Sequence, residues 1–179
     1  MDDKSPSFVA SRRFNYDYVT KAEFEHKPNT PYNYKYETAL YDGETGDIED
    51  FSRNWIGFSA SDFDVTFTLS KTIDLENVRV RFAHHPESWI FAPKEIAVYV
   101  SSDGEKFSPA TLANIGYNPT SAEMNIPQLQ TIDIEVNQPD VRFVRIVAQS
   151  IGRIPQWHKA KGLHAWLMID EVEFTEKIN

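Results

Sequence analysis

Apolar and polar positions alternate with a period of two along much of the chain. Phe63, Val65, Phe67 and Leu69 are separated by polar residues, as are Val78, Val80 and Phe82, then Ile96, Val98 and Val100, then Ile132, Ile134 and Val136. Successive side chains of a strand fall on opposite faces, so each run predicts a half-buried strand. Val141 to Ala148 (VRFVRIVA) is denser in apolar residues and predicts a strand buried on both faces. Ala165 to Phe174 (AWLMIDEVEF) predicts a sixth. Ser101-Ser102-Asp103-Gly104, Asn137-Gln138-Pro139-Asp140 and Asp42-Gly43 with Gly46 read as turns. No dozen-residue window sustains helical periodicity with caps, so the chain is predicted to be all-β, an antiparallel sandwich or barrel.

The beginning of the chain follows a different pattern. Tyr16, Tyr18, Tyr32, Tyr34 and Tyr36 are interleaved with charges and with Pro28 and Pro31. Proline would confine any strand there to a sheet edge. Met1 to Arg13 reads as linker or disordered chain, and the domain organisation predicted is residues 1–31 as an N-terminal appendage and 32–179 as the sandwich. A length of 179 residues suits one buried core plus such a tail.

Charge and composition narrow the partners. The formal net charge is −9, and the longest basic run is the pair Arg12-Arg13. Nucleic acid and anionic membrane are bound chiefly through clustered cations, so a neutral ligand, a cation or another protein fits better. The absence of cysteine removes disulfides, thiolate metal sites and cysteine nucleophiles. The start of the sequence has no basic and apolar export signal, and no stretch approaches the length of a spanning helix.

Catalytic motifs are missing as well: there is no glycine-rich phosphate loop, no GxSxG and no HExxH. His84 and His85 are adjacent, which points their side chains apart on extended chain and makes them poor partners for one metal. The carboxylates Asp62 and Asp64, or Asp170, Glu171 and Glu173, read as solvated strand faces or a cation site rather than as a glycosidic acid/base pair. Sugar binding needs an aromatic plate and planar polar groups held on loops. Two segments supply that mixture: His84 to Phe91 (HHPESWIF) and Arg153 to Lys159 (RIPQWHK). Large aromatics near strand ends also serve as core caps, and Trp55 and Trp166 are assigned to the core.

In order along the chain, Tyr36, Ala39-Leu40-Tyr41-Asp42-Gly43, Trp55-Ile56-Gly57-Phe58, Asp64 and Ser88-Trp89-Ile90-Phe91-Ala92-Pro93 are followed by Val98 to Gly104, Val141 to Arg145, Pro155-Gln156-Trp157-His158 and Ala165 to Val172. From about Tyr32 onward this set resembles the discoidin, or coagulation-factor type C, superfamily, which includes family 32 carbohydrate-binding modules. It is most similar to the C-terminal module of bacterial β-hexosaminidases. The resemblance implies the sandwich of the two, an antiparallel β-sandwich of jelly-roll, galactose-binding-like type, serving as a non-catalytic module of a secreted, periplasmic or cell-surface glycoside hydrolase. Its ligand would be terminal galactose or N-acetylhexosamine, and its partner a linked catalytic domain.

No motif here aligns residue by residue with the sugar-binding residues of such relatives; side-chain chemistry and loop placement select Trp157 and Trp89 as stacking plates, with His158 and Arg53 as hydrogen-bond donors and Arg153 beside them. The resemblance also implies a structural calcium at Asp42 and Glu171, with Asp47 as a further ligand. The loop between Gly43 and Trp55 is longer than is usual in such relatives, and a solvated acidic loop is the competing reading. The rival function is a structural or protein-docking appendage without a sugar site.

Overall fold

The computed structural model describes residues 18–116 and 126–177, so Met1 to Arg13 and Tyr16 lie outside the described residues. In chain order the strands are β1 (Val19–Phe24), β2 (Ile56–Ser59), β3 (Phe63–His84), β4 (Glu95–Ser101), β5 (Ser108–Asn114), β6 (Gln128–Ala148) and β7 (Trp166–Glu176). All of their pairings are antiparallel.

Two long strands, β3 and β6, organise the molecule. They run side by side from Phe63 opposite Ala148 to His84 opposite Gln128, with the register shifting between Thr68 and Asn77. These shifts bend both strands, so that each serves two layers. The first arm of β3 carries β1 on one side and β6 on the other, with β4 and β5 beyond. Its second arm carries β7 and then β2. The layers face each other across the core: Phe67 of the first arm meets Phe174 of β7 with ring centroids 5.3 Å apart, and Phe58 of β2 meets Phe63 at 5.6 Å.

The period-two reading locates these elements and divides them wrongly. The first two predicted strands are the two arms of β3, and the fourth and fifth are the two arms of β6. Asn137 to Asp140, read as a connecting turn, is the kink within β6, where Asn137 and Asp140 adopt left-handed φ of 50° and 56°. Asn and Asp tolerate that region, so a turn composition can also mark a bent strand. In the second arm of β6, Val141, Val144, Ile146 and Ala148 are buried while Phe143 and Val147 are only half-buried, so burial is one-sided.

The sandwich also begins before residue 32, because β1 pairs with β3 from Val19 to Phe24. Tyr32 to Tyr36 is turn rather than strand, and it closes the free edge of β2. The Gly57 N–H donates to the Tyr32 carbonyl at 2.9 Å and the Asn29 N–H to the Gly57 carbonyl at 2.9 Å. Gly57 is needed there, since a Cβ would lie 2.7 Å from Tyr32 Cβ and 2.8 Å from Met168 Sδ. Trp55 is in the core at 1 % exposure. Trp166, expected there too, is half-buried and packs edge-on to Tyr32 at 5.0 Å.

Candidate functional site

One end of the sandwich is stitched together by the segment that leaves β3. The Ala92 N–H donates to His84 Nδ1 at 3.3 Å, the Phe91 N–H to the Trp166 carbonyl at 2.9 Å and the Lys94 N–H to the Gln149 carbonyl at 2.8 Å. A single 3-10 turn, Pro86–Ser88, opens this segment, with proline at its start fixing φ. Trp89 closes the turn in the left-handed region at φ 66°, its N–H donating to the Pro86 carbonyl at 2.8 Å. Its carbonyl accepts the Trp166 N–H at 2.8 Å. The backbone is therefore pinned while the residue stays 38 % exposed, the geometry of an anchored surface plate.

The long loop between β6 and β7 completes this rim. Arg153 and His164 bridge across its base, and Arg153 Nη1 donates to the Gly162 carbonyl at 3.0 Å. Farther along the loop, Trp157 and His158 lie 5.6 Å apart, centroid to centroid, and both pack edge-on against Phe91, at 6.4 and 6.1 Å. Trp157 is half-buried; His158 is 7 % exposed, and its Nδ1 accepts the Ala160 N–H at 3.0 Å. Trp89 stands two residues before Phe91, in the same segment. Arg53 is exposed on the loop whose Phe51 packs on His85 at 5.9 Å. The structure thus joins Trp157 to His158, puts Trp89 in the adjoining segment, and uses His158 for packing.

Beside the base of that loop lies an open cleft of about 510 Å³. His26, Ser61, Asp62, Ser150, Arg153 and His164 line it. Its volume falls within the roughly 300–1,000 Å³ of small-molecule sites. Asp62 is held in place by the Ser150 N–H, which donates to Oδ1 at 2.9 Å. Of this group the sequence offers Arg153 for sugar, and Asp62 only as a strand-face or cation-site carboxylate. The others come from the connections around β1, β2 and β6, and no local motif links them.

A second polar cluster sits on β7. Phe82 pairs with Ile169 and Arg81 with Glu171, which leaves Asp170 as the extra residue of a bulge. The bulge explains why Asp170 and Glu171 are both buried, at 0 and 2 % exposure. Asp170 Oδ2 accepts the Gly46 N–H at 2.8 Å and pairs with Arg81 Nη1. Its Oδ1 and both oxygens of Glu171 are buried without a hydrogen-bond partner among the described residues. Burial, then the charge of Asp42, pushes the Glu171 carboxyl up to about 8. Asp47 is exposed; its Oδ1 accepts the Glu49 N–H at 2.9 Å and its carbonyl accepts the Trp55 Nε1–H at 2.9 Å. Among the described residues no three His, Asp or Glu side chains converge as a metal-binding group.

The carboxylates of Asp64 and Glu173 are in ion pairs. Asp64 takes a two-point contact from Arg145 at 2.8 and 2.6 Å, and Glu173 meets Arg79 at 3.4 Å.

No protein-family model matches the sequence, and no curated protein matches it. Solved structures do share its fold. A family 32 carbohydrate-binding module from a family 31 glycoside hydrolase of Clostridium perfringens superposes with a TM-score of 0.52 at 15 % identity, over 88 % of this chain and 92 % of that one. The F5/8 type C domain of a Bacteroides fragilis protein gives 0.53 at 15 % identity, over 88 % and 91 %. The lectin binding domain of lectinolysin, solved with Lewis b, gives 0.56 at 12 % identity, over 92 % and 96 %. The chain has the discoidin-type β-sandwich fold of these domains.

Proposed function

We propose that this discoidin-type sandwich is a non-catalytic carbohydrate-binding module. The observation that carries the reading is the rim: an exposed Trp89 on a pinned left-handed turn, adjoining the Phe91–Trp157–His158 cluster and a polar cleft at the base of one loop. Aromatic plates flanked by planar polar groups on a rigid scaffold are the ordinary means of taking a sugar from water. The ion pairs that occupy Asp64 and Glu173 support binding rather than hydrolysis. Galactose and N-acetylhexosamine termini are the ligands we assign first, with Trp89 and Trp157 as plates and Arg53 as a donor. Attachment to a bacterial glycoside hydrolase acting outside the cytoplasm completes the proposal, the module holding its enzyme near substrate.

A glycan array with purified protein tests it. Selective binding with a dissociation constant on the order of 0.1–1 mM is expected. Trp89→Ala should weaken binding about tenfold or more while leaving the fold intact, because the ring is exposed. Silence across the array at millimolar sugar would favour the structural appendage instead.

Calcium belongs to the same proposal. The unpartnered buried oxygens of Glu171 and Asp170 are hard donors suited to that ion. Glu171 and Asp42 would hold it with backbone carbonyls of the following loop, and its role would be to fasten that loop to β7. Without metal, Glu171 makes stability pH-dependent. Its carboxyl titrates near 8 in the fold against an ordinary 4.5, so between these values the native state holds the extra proton. Stability from this group is complete below about pH 4.5 and falls as pH rises toward about 8. In chelator, Glu171→Gln should flatten that decline, measured by urea denaturation from pH 5 to 8. In calcium the wild type should gain stability that Glu171→Gln does not. Identical melting in calcium and chelator would remove the metal.

A further inference from the structure

The cleft beside the β6–β7 loop has a charge pattern that the chain as a whole does not share. The protein carries 27 Asp and Glu against 18 Lys and Arg, yet no acidic side chain occurs between Asp140 and Asp170. Within that interval the loop exposes Arg153, Lys159, Lys161 and His164, and His26, which lies between the exposed Glu25 and Lys27 after β1, lines the cleft with Arg153 and His164. Arg153 makes no ion pair among the described residues; its one described side-chain bond is to the Gly162 carbonyl. The facing carboxylate is Asp62, anchored through Ser150, with the Ser61 side chain beside it.

These groups ask for different things of one ligand. A guanidinium with remaining donors in a fixed fork suits a carboxylate or sulfate. A carboxylate that is fixed in place repels an anion and takes hydroxyl donors. A bare inorganic anion would satisfy Arg153 and gain nothing from Asp62, whereas a neutral sugar would leave the basic rim without a counterpart. A sugar bearing an acidic group on one side and free hydroxyls on the other answers both.

We infer that the His26–Asp62–Arg153–His164 cleft binds an anionic glycan residue, its carboxylate or sulfate on Arg153 and its hydroxyls on Asp62 and Ser61. The inference rests on the carbohydrate-binding reading and narrows its ligand class. It also moves the specificity from the tryptophans to a site that local sequence does not mark.

The test is calorimetric titration at low salt with matched oligosaccharides: one ending in galactose, one in galacturonic acid and one in a 6-sulfated N-acetylhexosamine. At least one acidic ligand should bind about tenfold more tightly than the galactose-ended one, with an advantage that shrinks as salt is added. Arg153→Ala should erase that advantage, bringing the acidic ligand to the affinity that the same variant has for the galactose-ended one, and Arg153→Lys should restore only part of it. Arg153 is exposed, so both variants should fold as wild type. Equal affinity for neutral and acidic sugars, or an advantage untouched by Arg153→Ala, would overturn the inference while leaving the carbohydrate reading intact. Binding of none of the three would remove both.

Discussion

Asp170→Ala is expected to lower stability by about 3–5 kcal/mol, the cost of leaving one partner of a buried ion pair alone. Asp170 is fully buried and is the described ion-pair partner of Arg81, whose side chain is 18 % exposed. The same carboxylate takes the Gly46 N–H, while Arg81 Nη2 donates to the Gly46 carbonyl at 3.1 Å. Alanine therefore strands a guanidinium and a backbone N–H at once. Adding Arg81→Met to Asp170→Ala should recover part of the loss, because the pair is then absent rather than broken. Urea denaturation measures both. A single-mutant loss below about 1 kcal/mol would mean that solvent reaches this cluster freely.

Gly46→Ala should cost about 2–3 kcal/mol for a different reason, overpacking. A Cβ at Gly46 would overlap the Trp55 indole. The ring cannot retreat easily: its Nε1 donates to the Asp47 carbonyl at 2.9 Å, and it packs in a cluster with Ala83, Ile90 and Met168. Arg81 lies over the ring, with Cζ 5.9 Å from a ring centroid. Trp55→Phe in the Gly46→Ala background should restore part of the stability by making room. A midpoint of urea unfolding unchanged by Gly46→Ala would place the loop away from the indole. Both changes touch Gly46, Arg81 and Asp170, so their effects should not add.

These clusters show where sequence patterning succeeds and where it stops. Alternation found both arms of β3, the first arm of β6 and β4, because each buries one face and period two is the direct result of the pleat, while apolar density found the second arm of β6 and β7, whose Leu167 to Val172 are buried in succession. It missed β5, whose Ser108–Asn114 stretch is a largely exposed edge with no apolar rhythm to detect. It missed β2 as a strand because Ile56, Gly57 and Phe58 are buried in succession under the Tyr32 segment. Nor can a two-residue period announce the bulge that buries Asp170 and Glu171 together; only pairing with β3 reveals it. At the rim, the segments were legible and the individual roles were not. Trp89 and Trp157 were named for their loops, but whether a ring points out or caps Phe91 depends on neighbours distant in sequence. The cleft of His26, Asp62, Arg153 and His164 is assembled wholly by topology.

The central claim, that the rim around Trp89 and the β6–β7 loop takes sugar, is tested most directly by amide chemical-shift mapping during titration with oligosaccharide. Saturable shifts confined to residues near 26, 60–62, 85–94 and 149–165 are the expected result. Shifts centred on the far kink at Asp74, Asn137 and Lys177, or none at tens of millimolar ligand, would contradict it.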